Sequence, residues 1–208
     1  MDGLVSNLAL ISGVAGSNAR PGTVALAGVA GLVAGAFSMA VGEYTSVASQ
    51  TELTRAEIDN ERRELRRNPE AEQAELAAMY VQRGVQPELA AQVAEQLSAD
   101  PEQRLRVHVR EELGVDPDDL PSPWTAAIAS FLAFTVGAFI PLLPYLLGAT
   151  SLAVAVVLSV LSLFAVGAVT SRFTNRGWLY SGLRQMLLGS VAAAITYGIG
   201  SAVGPGLG

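Results

Sequence analysis

Three sets of side chains in this 208-residue chain have the types and spacing to hold a cation. Glu57, Glu61 and Glu64 stand at i, i+4 and i+7, which places their carboxylates on one face of a helix. Glu72 and Glu75 stand at i and i+3, and His108 and Glu112 at i and i+4, a spacing that points imidazole and carboxylate at one ion. Hard divalent cations seek carboxylate oxygens, and an imidazole adds affinity for first-row transition metals. A ligating imidazole must be neutral, so metal and proton compete for one nitrogen. The competing reading is a set of solvated glutamates paired along exposed helices with Arg66, Arg67 and Arg110. A second kind of group sits beside apolar segments. Asp2 and Glu43 lie at the ends of two of them, and Met39 lies one turn before Glu43. Ionisable groups near a membrane span are costly and mark ion paths. Alternatively, both acids reach interfacial water and the methionine packs or faces lipid.

Other chemistries find little support. There is no cysteine, so disulfides and thiolate metal sites are excluded, and His108 is the single histidine. No HExxH, di-iron ExxH, G-x-S-x-G or phosphate-loop pattern occurs. The chain is therefore expected not to be an enzyme and to carry no prosthetic group.

The elements that must position these residues belong to two physical regimes. Half of the residues are hydrophobic and only 15% are charged, against about 25% in soluble domains. The charge is concentrated: 17 of the 19 acids and 9 of the 13 arginines lie between Glu52 and Asp119. That stretch carries a net formal charge of −8, which suits cations and disfavours nucleic acid. Outside it, Thr23 to Val41, Trp124 to Leu147, Ser151 to Thr170 and Leu183 to Val203 are each apolar over roughly the 20 residues a bilayer core requires. Gly3 to Ala15 is apolar but shorter, and reads as a short first span. An acid at position 2 and the lack of a basic n-region argue against a cleavable signal peptide.

The fold class that follows is an all-α integral membrane protein of five transmembrane helices, with a helical metal-binding insert between the second and third. Its parts are residues 1–49 with the first two spans, 50–120 as the insert, and 121–208 with the last three. Within the insert, Gln50 to Arg67 contains no helix breaker. Asn68-Pro69 and Asp100-Pro101 are cap signals, Pro87 opens another helix, and Gly84 and Gly114 are stops. Pro117, Pro121 and Pro123 stiffen the return to the membrane. Pro141 and Pro144 interrupt the third span and should kink it. Gly31 with Gly35, and Gly200 with Gly204, are GxxxG pairs that serve packing within the chain or dimerisation. The arginines of the short loop, Arg172, Arg176 and Arg184, place that loop and the insert in the cytoplasm and the C-terminus outside.

These segments resemble the vacuolar iron transporter (VIT) family. DGLVSNLALISGVAGS is similar to its first span, AGAFSMAVGEYTSVASQ to its second and GAFIPLLPYLLG to its third, while ELAAMYVQRGV and VREELGV are similar to its soluble domain. The similarity runs in order along nearly the whole chain. It implies a homodimer with five spans per subunit that exports cytosolic Fe²⁺, and often Mn²⁺, in exchange for protons. It also implies roles. The metal-collecting residues fall on Glu61, Glu64, Glu72, Glu75 and Glu112, with His108 where plant members have methionine. The transport-path aspartate falls on Asp2 and the path methionine on Met39. Two departures are visible. The family has a further helical turn before its Asp-Gly, whereas this chain starts at Met1-Asp2. A second-span glutamate of plant members falls on Gly31, and Glu43 is the nearby acid, at another depth.

The expected function is therefore a divalent metal transporter for Fe²⁺ and/or Mn²⁺ working by proton antiport. It would sit as a multi-pass protein in a bacterial-type plasma membrane, with metal ions, protons, lipid and a second copy as its partners. The alternative is a membrane-tethered metal buffer or sensor that binds without transporting.

Overall fold

Proline and glycine punctuate the chain as helix starts and stops. The structure, a computed structural model, describes residues 1–204, and every regular element among them is helical. The helices are α1 (Asp2–Gly16), α2 (Pro21–Arg67), α3 (Pro69–Gln82), α4 (Pro87–Leu97), α5 (Pro101–His108), α6 (Pro123–Leu146), α7 (Leu152–Thr170) and α8 (Trp178–Val203). A π-helical turn, Val109–Leu113, continues α5, and a 3₁₀ turn, Ser171–Phe173, continues α7. Helices α2 to α6 each begin on proline, whose missing N–H costs nothing in a first turn, where those donors are unpaired anyway. The Asp100 carboxylate accepts from the backbone N–H groups of Glu102 and Gln103 and so caps α5. Gly84 and Gly114 close α3 and the π turn with φ of 94° and 68°, the left-handed region that glycine occupies without strain.

The chain folds as two compact units, Met1–Glu43 with Ala126–Gly208, and Tyr44–Thr125. The division falls inside α2. The sequence pattern suggests a span and then a separate insert helix, but no proline lies between Thr23 and Arg67 and the glycines there, Gly42 the last, do not stop the helix, so one 47-residue helix results.

In the first unit, α2, α6, α7 and α8 are each long and apolar enough to cross a membrane. Their surfaces carry large exposed side chains such as Leu26, Phe37, Val136, Val157, Leu187 and Ile195. Helices apolar all round and left uncovered require lipid as solvent, so the chain is a multi-pass integral membrane protein. Helix α1 has 15 residues, short of the roughly 20 a bilayer core requires. It packs against α7 and α8 and buries Leu4, Asn7, Leu8, Ile11 and Ser12. Small residues allow that closeness. A Cβ on Gly200 would lie 1.8 Å from the Gly13 carbonyl oxygen, and one on Gly204 2.5 Å from Ser17 Cβ. Gly31 and Gly35 face Leu10 with Asn7, and the Phe134 ring, respectively. Both GxxxG pairs therefore pack within the chain. Helix α6 continues through Pro141 and Pro144, which are buried. The C-terminal end, residues 205–208, lies outside the described residues.

In the second unit, Ile58 and Leu65, two turns apart on α2, pack with Leu105 and Val109 and draw in Val115 and Leu120. Thr51 donates a hydrogen bond to the Pro121 carbonyl (3.1 Å), and Tyr44 stacks edge-to-face on Trp124 at 4.9 Å, which closes the base of the insert. Helix α3 packs on α4 around Leu76, Ala90 and Ala94.

Candidate metal centre

The apolar strip of α2 turns one glutamate inward with it. Glu61 lies between Ile58 and Leu65 along the buried side of the helix and is itself buried, whereas Glu57 and Glu64 are exposed. Glu72 is buried on α3 beside Leu76, and Glu75 is exposed. His108 ends α5 and is 0% exposed, next to Val109 of the core. The π turn then delivers Glu112, whose side chain is 24% exposed. Such turns are rare and recur at functional sites.

Glu61, Glu72, His108 and Glu112 each offer one ligand atom, and these atoms all lie within 4.8 Å of one another. His108 Nδ1 is 3.2 Å from Glu61 Oε1 and 3.2 Å from Glu112 Oε1. Ligands about 2.1–2.2 Å from an ion stand roughly 3 Å apart when adjacent and roughly 4.3 Å apart when opposite. The two 3.2 Å separations match adjacent ligands, and the group as a whole is within about 0.5 Å of a single coordination shell of three carboxylates and one imidazole.

Its electrostatics are those of crowded, partly desolvated carboxyls, which a positive charge would relieve. Burial, followed by the neighbouring Glu112 carboxylate, pushes the Glu61 carboxyl up to about 8, and Glu72 and Glu64 push the same way. Glu72 is raised as well, first by burial and then by Glu75, while His108 opposes the shift. The exposed Glu64 and Glu75 therefore act on the group through their fields while standing outside it. Nδ1 of His108 has its hydrogen-bond contact with Glu112, which leaves Glu61 Oε1 and His108 Nε2 buried without hydrogen bonds. Buried polar atoms are rarely left so.

The arginine-pairing reading does not describe these residues. The arginine ion pairs among the described residues join Arg62 to Asp59, Arg83 to Glu111, Arg106 to Asp118 and Arg110 to Asp116. None of them reaches Glu61, Glu72 or Glu112. Glu111, next to Glu112, is held outward by Arg83 and by the Tyr80 hydroxyl, which donates at 3.2 Å.

The residues singled out beside the apolar segments divide differently. Asp2 and Met39 line one cavity of about 270 Å³ in the membrane unit, with Ser6, Asn7, Ser38 and Phe134. The Asp2 carboxylate accepts from the Ser6 hydroxyl at 3.3 Å. Glu43 is exposed and does not line that cavity. Asn7 is not legible from sequence, because a lone asparagine in an apolar segment carries no spacing signal.

The VIT family profile matches residues 1–201. The chain belongs to the VIT family. Among its relatives, "Vacuolar iron transporter" of Acanthamoeba castellanii is 42% identical over 205 residues, covering 95% of this chain and 75% of the relative. "Vacuolar iron transporter 2" of Oryza sativa subsp. japonica is 33% identical, covering 97% and 83% respectively. "Vacuolar iron transporter 1" of Arabidopsis thaliana is 32% identical, covering 94% and 80%. In this VIT chain the seven insert positions singled out from spacing separate into four that converge, Glu61, Glu72, His108 and Glu112, and three, Glu57, Glu64 and Glu75, that stay exposed outside the group. Membership places the chain in a family of transporters.

Proposed function

We propose that this protein carries Fe²⁺, and Mn²⁺ as a second substrate, out of the cytoplasm in exchange for protons. The observation that carries the reading is the convergence of Glu61, Glu72, His108 and Glu112 on one ion-sized space in the charged unit. Relatives named vacuolar iron transporters support the choice of metal. Three carboxylates and an imidazole suit a first-row divalent ion. The insert gathers metal from the cytoplasm, with Glu64 and Glu75 adding attractive field. The ion then enters a membrane path marked by Asp2 and Met39. Glu43, exposed at the end of the apolar part of α2 and outside the cavity, is an approach residue. Protons moving the other way neutralise carboxylates and release the ion.

In this reading α1 crosses with the four longer helices, giving five spans. The insert and the Arg172 to Arg184 loop face the cytoplasm of a cell bounded by a bacterial-type plasma membrane, and two copies form the working dimer.

The test is metal flux into proteoliposomes with Fe²⁺ and Mn²⁺, with and without a pH gradient. Flux that a gradient accelerates supports the antiporter. Metal binding without flux under any gradient would instead identify a membrane-tethered buffer.

A further inference from the structure

The cavity that holds Asp2 and Met39 contains one polar atom that the chain itself leaves unanswered. Asn7 is 2% exposed. Its amide nitrogen donates to the Ala138 carbonyl of α6 at 2.7 Å. Only the NH₂ end of the carboxamide can face a carbonyl, so this bond fixes which end is the oxygen. Oδ1 is buried without a hydrogen-bond partner, and Asn7 lines the cavity. A buried, unpaired carbonyl oxygen costs about 1–3 kcal/mol, and two neighbouring helices fix its position. Gly31 on α2 leaves it room, since a Cβ there would stand 3.0 Å from Oδ1. The Ala138 bond holds it from turning away.

We infer that the Asn7 carboxamide oxygen is a ligand for the permeating divalent cation, acting in this cavity beside the Asp2 carboxylate and the Met39 thioether. The inference rests on the transport reading above. A carboxylate oxygen, an amide oxygen and a thioether offer one negative charge to a dication, whereas the insert offers three carboxylates. A transit site must bind well enough to strip water yet weakly enough to release. A neutral amide oxygen replaces a water ligand without adding charge. The thioether selects softer first-row ions over Mg²⁺ and Ca²⁺. The anchored oxygen supplies the fixed geometry that a mobile water would lack.

The full chain in proteoliposomes tests this with Mn²⁺ and with Fe²⁺ kept reduced. Wild-type flux tests the transport reading by itself, and its absence overturns both. Given wild-type flux, Asn7→Ala should lower it at least tenfold while metal binding by the insert is unchanged. Asn7→Asp separates ligand from scaffold, because it keeps an oxygen and gives up the N–H donor to Ala138. A ligand predicts that Asn7→Asp carries more flux than Asn7→Ala, with a KM several-fold below wild type from the added charge. Flux of Asn7→Ala within twofold of wild type overturns the inference. So does Asn7→Asp flux at or below that of Asn7→Ala, which would mark the N–H bond as the only role. If Asn7→Ala does not fold, the KM of Asn7→Asp decides: lowered supports the ligand, unchanged overturns it.

Discussion

His108 Nδ1 stands 3.2 Å from Glu61 Oε1, a contact between residues 47 positions apart that joins the end of α5 to the insert portion of α2. Around it the chain gathers negative charge in a place from which water is largely removed. The sequence points to the histidine as the pH-sensitive member. The structure identifies a carboxyl, Glu61, pushed up to about 8 by burial and by Glu112.

Glu61 should therefore govern the pH dependence of metal binding. Its pKa in the folded protein lies above its ordinary value of 4.5. In the metal-free protein its contribution to stability is complete below about 4.5 and is lost as pH rises through about 8. Metal affinity runs the opposite way, because the ion displaces the proton. Binding at pH 7 should release close to one proton from Glu61, and affinity should rise about tenfold from pH 6 to pH 7. Calorimetry of the full chain in buffers of different ionisation enthalpy reads both. Glu61→Gln should bind more weakly, release less proton and show a flatter pH profile. An unchanged profile would remove Glu61 from the site.

His108 is fully buried with one nitrogen aimed at two carboxylates. As a ligand, its replacement by alanine should weaken Mn²⁺ binding at least tenfold. His108→Met, which returns a soft donor, should restore Fe²⁺ binding more than Mn²⁺ binding. Equal affinity in wild type and His108→Ala would leave the histidine a packing role only.

The buried and exposed glutamates of α3 should separate. Glu72→Ala removes a ligand oxygen and should cost at least tenfold in affinity, whereas Glu75→Ala, acting through its field, should cost no more than about threefold. Met39→Leu keeps similar volume without the thioether, so it should lower flux and leave metal binding by the insert intact. Normal transport by Met39→Leu would show that this methionine only packs.

Two glycines of α8 make a paired test of the membrane packing. A Cβ on Gly200 would meet the Gly13 backbone at 1.8 Å, while one on Gly198 meets nothing within 4 Å. Gly200→Ala should destabilise the detergent-solubilised protein by about 1–3 kcal/mol through overpacking. Gly198→Ala should be neutral or slightly stabilising. Thermal unfolding compares the two, and equal melting would mean that α8 does not seat on α1 as described.

Topology is open to direct measurement. Three crossings by α6, α7 and α8 should put a reporter after Gly208 on the opposite side from one inserted at Gly84, with the latter cytoplasmic. A reporter before Met1 should share the side of Gly84 if α1 also crosses. Finding it on the other side would make α1 a packed half-span.

Membrane residence, the helical class and most helix ends were legible in the sequence. Apolar length, proline at first turns and glycine at stops are local properties that act within a few residues. The family was legible too, because its motifs are contiguous. The continuity of α2 was less so, since a change from apolar to charged composition beside Gly42 mimics a boundary where the helix in fact runs on. Spacing could place Glu57, Glu61 and Glu64 on one helical face, but not say which carboxylate the core would bury. That depended on Ile58 and Leu65 packing against Leu105 and Val109, residues brought together only by the fold. The same packing put Glu61 and Glu72 against His108 and Glu112, left Glu64 and Glu75 in solvent, and raised Glu61. Asn7 was invisible beforehand, because an asparagine becomes a candidate ligand only when a neighbouring helix takes its N–H and leaves its oxygen unpaired beside a cavity. Local sequence thus determines which elements form and in which solvent. Burial and charge at a site are sums over partners distant in the chain, and only tertiary structure decides them.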